Sequence, residues 1–362
     1  MKAVMRYRLF RVMEAVEIGF DSDQLQQARI ATNQKIDPER SSKDANVLYR
    51  NRALTHPQMR SSAVFLAGFR SGRNSLYLSF MRKLAVLLFC APLVASQDVI
   101  QRADELYGRT QYEESLRVLI SGPALDAAGY ALAGKNYYML GNYKKATESF
   151  EKAASLAPSN PEYALWLGRT YGRKAEAGSW LLAPVNASRA RQYFEKAVAL
   201  SPHYHEALND LFAFYLQAPG FVGGGVDKAE AIAKRVAEES PAEYSYDQAQ
   251  LAEKKKDYAA EESHLRRAVE LAPREVGRVI DLARFLARRG RAAETEQAFA
   301  QAEMLAPADP RIDFERAKIY VEHRRDLEEA RRLLRQYLAA EVTPDYPAKQ
   351  TAEILLRKAM EN

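Results

Sequence analysis

Cysteine is almost absent from this chain. Cys90 is the only one in 362 residues, which excludes both a disulfide framework and a cysteine-rich zinc site. Histidine is scarce too, with five. The stretch Leu84–Ala95 carries no charge, yet it falls short of the roughly 20 apolar residues that a membrane-spanning helix takes. Most of the chain also lacks an excess of either charge. The formal net charge of +6 arises before residue 97, where residues 1–80 hold 13 Lys/Arg against 7 Asp/Glu and Arg82 and Lys83 follow. Residues 97–362 hold 38 basic and 40 acidic residues, so no bulk field draws them to phosphate and nucleic acid is excluded as the partner. What the chain does have is 47% hydrophobic and 28% charged residues, a composition that can fold around a core.

Residues 81–97 place Arg82 and Lys83 before the uncharged run and small Ser96 after it. That is the order of a secretory leader. Bulky Phe89 before Cys90 argues against a lipid-attachment cysteine. A leader belongs at a chain start, so the expectation is translation from Met81, with 1–80 a non-native or disordered extension. The resulting protein would be periplasmic or secreted, with no stable membrane insertion after cleavage. The alternative is a membrane anchor with 1–80 in the cytoplasm.

After Ser96 the chain repeats. Pro158, Pro202, Pro241, Pro273 and Pro307 each close an apolar run, and the spacing is close to 34 residues once two insertions are set aside. The clearest unit is Tyr130-x2-Ala133-Gly134-x2-Tyr137-x8-Ala146-x3-Phe150-x2-Ala153-x4-Pro158. It resembles the tetratricopeptide repeat (TPR) in residue types and spacing. Leu167-Gly168-x2-Tyr171 with Ala190, Phe194, Ala197 and Pro202 is a second match, and Leu282-Ala283-x2-Leu286 with Phe299, Ala302 and Pro307 is a third. The units closing at Pro241 and Pro273 are weaker. Residues 98–121 read as a degenerate first unit and Ile312 to Ala340 as a seventh. The resemblance implies an all-α, right-handed α-solenoid of about six to seven helix pairs over 97–343, with a capping helix within 344–362. Apolar residues at i, i+3, i+4 and i+7 give each helix one face to bury, and stacking joins those faces into a single core. Phe150, Phe194 and Phe299 are expected to project from second helices into the next pair, with Gly134, Gly168 and Ala283 allowing close approach.

Two insertions fall between the first and second helices of adjacent units, Gly178–Asn186 and Ala218–Gly225. Trp180, Leu181, Leu182, Phe221 and Val222 would each cost roughly 1.5–3 kcal/mol if left in water. Two readings follow: a mutual packing patch at one edge, or a loop pair that meets a partner. Gly223-Gly224-Gly225 is no phosphate loop, because no Lys-Ser/Thr pair follows it.

No constellation for catalysis is present, and neither a metal nor a cofactor is expected. His203 and His205 lie at a helix start with nothing to complete a ligand set, and His264 and His323 stand alone. Lys254-Lys255-Lys256 and Arg288-Arg289-x-Arg291 end helices, where cations suit the dipole. The reading is therefore a non-enzymatic protein-interaction scaffold of the bacterial envelope. In the family the groove is lined by first helices. The register puts Lys135, Tyr138, Arg169, Arg173, Asn209, Leu216, Tyr246, Arg284, Arg288, Phe314 and Lys318 there. Such a basic stripe fits an acidic or extended peptide. The Lys/Asn ladder that holds a C-terminal carboxylate in chaperone-binding members is not reproduced, since Asn136 directly follows Lys135. The alternative is a helical accessory subunit that binds glycan or assists its export, which open aromatic platforms would favour.

Overall fold

In the computed structural model the described residues are 97–122 and 124–361. The extension and the leader therefore lie outside them. The described chain is helical throughout. It opens with α1 over 97–108, followed by α2 (Tyr112–Ser121), α3 (Ala127–Met139), α4 (Tyr143–Leu156), α5 (Pro161–Ala177), α6 (Ala183–Leu200), α7 (His205–Gln217) and α8 (Val226–Val236). Then come α9 (Pro241–Lys254), α10 (Tyr258–Leu271), α11 (Val276–Arg288), α12 (Ala292–Leu305), α13 (Pro310–Glu322), α14 (Leu327–Ala339) and α15 (Lys349–Glu361). Consecutive helices pair as α1/α2 through α13/α14, and each pair packs on the next. This is an α-solenoid.

The boundaries follow from local chemistry. Asn142, Asn160, Asp257 and Asp309 begin helices, and their side chains accept hydrogen bonds from free first-turn N–H groups. Pro161, Pro241 and Pro310 occupy the first helical position, where the missing N–H costs nothing. Within a pair the turn is tight. Residues with positive φ reverse the chain: Thr110, Gly141, Lys256 and Gly290, one each in the first, second, fifth and sixth pairs, and both Arg324 and Asp326 in the seventh. The third and fourth pairs carry the insertions instead.

Close helix approach rests on the Gly–Phe pairing. A Cβ on Gly134 would stand 2.7 Å from the Phe150 ring, and one on Gly168 would stand 2.5 Å from Phe194. Each phenylalanine thus lies first over the small residue of its own pair. It also touches the next pair: Phe150 stacks on Trp166 at 5.6 Å, and Phe194 lies 6.3 Å from Phe214. The expected projection is thereby refined, because one ring serves both contacts. The buried apolar residues form successive blocks along the array, the largest running from Tyr138 to Leu251, then Tyr246 to Ile319 and Phe314 to Ala359.

At the C-terminal end α15 buries Ala352, Leu355 and Ala359 against the seventh pair. It begins at Lys349, because Pro344 and Pro347 interrupt the segment before it. That segment is tied down at its base. The Tyr337 hydroxyl donates to the Pro347 carbonyl, Lys349 Nζ donates to the Leu338 carbonyl at 2.8 Å, and Arg311 lies over the Tyr346 ring at 5.5 Å.

Candidate functional site

The residues expected in the groove do stand on first helices: Lys135 and Tyr138 on α3, Arg169 and Arg173 on α5, Asn209 and Leu216 on α7, Tyr246 on α9, Arg284 and Arg288 on α11, Phe314 and Lys318 on α13. They do not form an open basic stripe. Tyr138, Leu216, Tyr246 and Phe314 are buried, because each packs its apolar body between helices. The cations face carboxylates, mostly from neighbouring units. Lys135 pairs with Glu162 at 2.6 Å. Arg169 Nε donates to Asp210 at 2.5 Å and its Nη2 to Glu206 at 3.0 Å. Arg284 holds Glu315 and reaches Asp281 at 3.1 Å. Arg288 reaches Glu261 at 2.7 Å and Glu253 at 3.2 Å. Lys318 stands 4.0 Å from Glu315 and from Glu322.

Arg169 and Arg173, one turn apart, do not address a common group. Arg173 pairs with Glu176 on its own helix and donates to the Tyr143 hydroxyl at 3.1 Å. An acidic ligand would have to displace a carboxylate already bound to each arginine. Asn209 differs, since its Oδ1 is buried without a hydrogen-bond partner.

What the first helices do create is a cavity of about 290 Å³. Tyr107, Trp166 and Tyr204 supply aromatic walls, and Lys135, Arg169, Glu162, Glu206 and Asp210 supply the charges. Pro344 and Asp345, from the segment before α15, complete it against the first pair. Burial raises the Tyr204 phenol to about 12, with Glu206 and Glu162 pushing the same way. Burial and the Asp345 carboxylate likewise raise Tyr112, beside Tyr107, to about 12. These hydroxyls stay protonated and can donate. Trp166 offers no open platform for a sugar ring. Phe150 stacks on it, while Arg169 and Lys135 lie over it at 5.0 and 5.6 Å.

The register missed Tyr107, Tyr204 and the carboxylates. A signal for the carboxylates did exist: Glu162, Glu206 and Glu243 recur in the first turns of α5, α7 and α9, each placed to meet a cation of an adjacent unit. Nothing local in the sequence foretold Pro344 and Asp345. His203 and His205 both meet Glu239 at the surface, His205 at 3.1 Å. Among the described residues no group of three or more His, Cys, Asp or Glu is placed to hold a metal ion. No described helix is long and apolar enough to cross a membrane.

The insertions share one edge, since both join first to second helices. Trp180, Leu181, Leu182 and Phe221 remain 55, 62, 57 and 61% exposed, whereas Val222 is buried at 2%. A mutual packing patch that hides these side chains is therefore not formed. Val222 docks, joining the core block around α6 and α7.

Residues 127–160 and 242–275 each match a family model described as tetratricopeptide repeat. Both segments are TPR units. They coincide with α3/α4 and α9/α10, so one strong and one weak sequence unit are recognised alike. A search of curated proteins finds no match. Among solved structures, a tetratricopeptide repeat protein from Parabacteroides merdae is 15% identical, with a TM-score of 0.49 over 74% of this chain and 99% of its own. A thermophilic TPR protein in Thermus thermophilus is 22% identical, with a TM-score of 0.36 over 65% of this chain and 100% of its own. MamA from Desulfovibrio magneticus is 18% identical, with a TM-score of 0.34 over 51% of this chain and 96% of its own.

Proposed function

We propose that this protein is a non-catalytic TPR scaffold that takes a segment of a partner protein on the face of its first helices, at the cavity between α1, α3, α5 and α7. The cavity itself carries the reading. It brings side chains from four consecutive pairs, together with the Pro344–Asp345 turn, around a single hollow. Its phenols and rim carboxylates suit an extended peptide that offers both donors and acceptors. Arg169, Arg284 and Arg288 act as inter-unit staples, so recognition falls to Tyr204, Tyr107 and the outer oxygens of Glu162 and Glu206. The leader-like residues 81–96 support a place for this scaffold in the bacterial envelope. Affinity capture from envelope extract tests both parts. Tyr204→Ala should lose the partner while keeping full helicity. Capture that is unchanged by this substitution would move the site elsewhere on the array.

A further inference from the structure

The third and fourth pairs replace the tight turn of the other pairs with built loops. In the first, Leu182 and Ala183 donate their N–H groups to the Ser179 carbonyl at 2.9 and 3.1 Å. In the second, Gly225 N–H donates to Tyr215 and Gly224 N–H to Pro219, at 2.8 and 3.1 Å. Gly223 lies at φ +96, and a Cβ on Gly224 would fall 1.7 Å from the Ala218 oxygen. With Val222 as anchor, this second loop holds Phe221 outward as a fixed prong. Trp180, Leu181, Leu182 and, one turn on, Val185 project from the first. So much large apolar surface at one edge marks an interaction site rather than chance exposure.

The cations beside these prongs differ from those of the groove. Lys174 and Arg189 lie over the Tyr171 ring at 4.8 and 5.3 Å, and Lys228 lies over Tyr215 at 5.6 Å. Their hydrogen bonds go to neutral oxygens: the Thr147 hydroxyl at 3.5 Å, the Tyr171 hydroxyl at 3.1 Å and the Gly223 carbonyl at 3.0 Å, respectively. Among the described residues none of the three makes an ion pair with a carboxylate, although Glu148 and Glu151 act on Lys174 at longer range. Arg191 nearby is paired with Glu195 at 3.4 Å.

We propose that this edge docks on the surface of a bilayer that contains anionic phospholipid. Trp180, Leu181, Leu182 and Phe221 would enter the headgroup boundary while Lys174, Arg189 and Lys228 face the phosphates. Protruding aromatic and leucine tips flanked by cations that make no ion pair among the described residues match that interface in both polarity and charge. The proposal concerns an edge separate from the groove and does not depend on the partner taken there.

The chain supplies its own reporter. It holds two tryptophans, and Trp166 is buried, so a change in emission on docking comes from Trp180. The full chain is titrated with vesicles of phosphatidylglycerol and phosphatidylcholine, and with phosphatidylcholine alone. The expected result is a blue shift with the anionic vesicles that fades as salt rises. Reversing the cations (Lys174→Glu, Arg189→Glu, Lys228→Glu) should weaken vesicle binding by about tenfold or more, and Leu181→Asp with Phe221→Asp should abolish the shift. Tyr204→Ala should leave it intact. Cosedimentation with unmoved Trp180 emission would mean that another segment, such as 84–95, carries the chain to the vesicle, and would overturn the proposal. So would a shift of equal size with phosphatidylcholine alone. A Trp180 shift produced by a co-purifying protein but not by vesicles would make the edge a protein interface instead. If the acidic variants fail to fold, the wild-type comparison between the two vesicle types still decides.

Discussion

Arg169 shows how a residue read as a ligand contact can be a structural one. On sequence alone it is a cation on the groove side of a first helix. In place it joins Asp210 and Glu206 of the next unit and lies over Trp166, with a side chain only 12% exposed. Breaking such a mostly buried pair from one side leaves a carboxylate without its counter-charge, at a cost of roughly 3–5 kcal/mol. Arg169→Glu should therefore lower thermal stability strongly, because a third carboxylate would face Asp210 and Glu206. A melting temperature close to wild type would show that the pair is open to solvent and that Arg169 is free to meet a ligand. The position and charge of each arginine were legible, but the carboxylate that meets it comes from another unit, 37 to 41 residues away for Arg169.

At the scale of the element, the stronger helix pairs were legible through marks of their own: a small residue, a phenylalanine at fixed spacing after it, and a closing proline. The weaker pairs, closing at Pro241 and Pro273, lack that phenylalanine. The second of them meets the next pair through a polar contact, Arg288 on Glu261, and that contact has a pH signature. Glu261 on α10 is buried, and its carboxyl is raised to about 7 by burial and then by Glu253, against the pull of Arg288 and Arg289. Its unfolded value lies near the ordinary one for Glu, about 4.3. Between those values the folded chain holds a proton that the unfolded chain has released. Stability from this group is therefore complete below the unfolded value and is lost as pH rises through about 7. Glu261→Gln should gain stability relative to wild type on going from pH 5 to pH 8, read as the difference in melting temperature at the two values. A difference that stays constant, or shrinks toward pH 8, would mean that Arg288 holds the carboxylate ionised throughout.

For the whole array, each pair contacts only its neighbours over most of the chain, so stability is a sum of units and interfaces. Phe194 belongs to both kinds of contact, through Gly168 in its own pair and Phe214 in the next. Phe194→Ala should cost about 3–5 kcal/mol and should broaden the melting transition, as the halves on either side uncouple. A transition that shifts without broadening would show that the array unfolds as one block. The order of the pairs could be read from periodicity. The placement of Pro344 and Asp345 beside Tyr107 could not, since that contact depends on how the small turn from pair to pair accumulates over the full array. The cavity was hidden for the same reason, because the Pro344–Asp345 segment that completes it lies far in sequence from the four consecutive pairs that supply its other walls.

The central claim is that a partner segment lies on the face of the first helices. It is tested most directly by placing a photo-crosslinking amino acid in place of Tyr204 at the cavity and, separately, in place of Arg267 on the exposed flank of α10, each in the full chain in its native cell. Illumination should join a discrete partner to the chain from position 204 and none from 267. Crosslinks from position 267 with none from 204 would contradict the account and place recognition on the second helices.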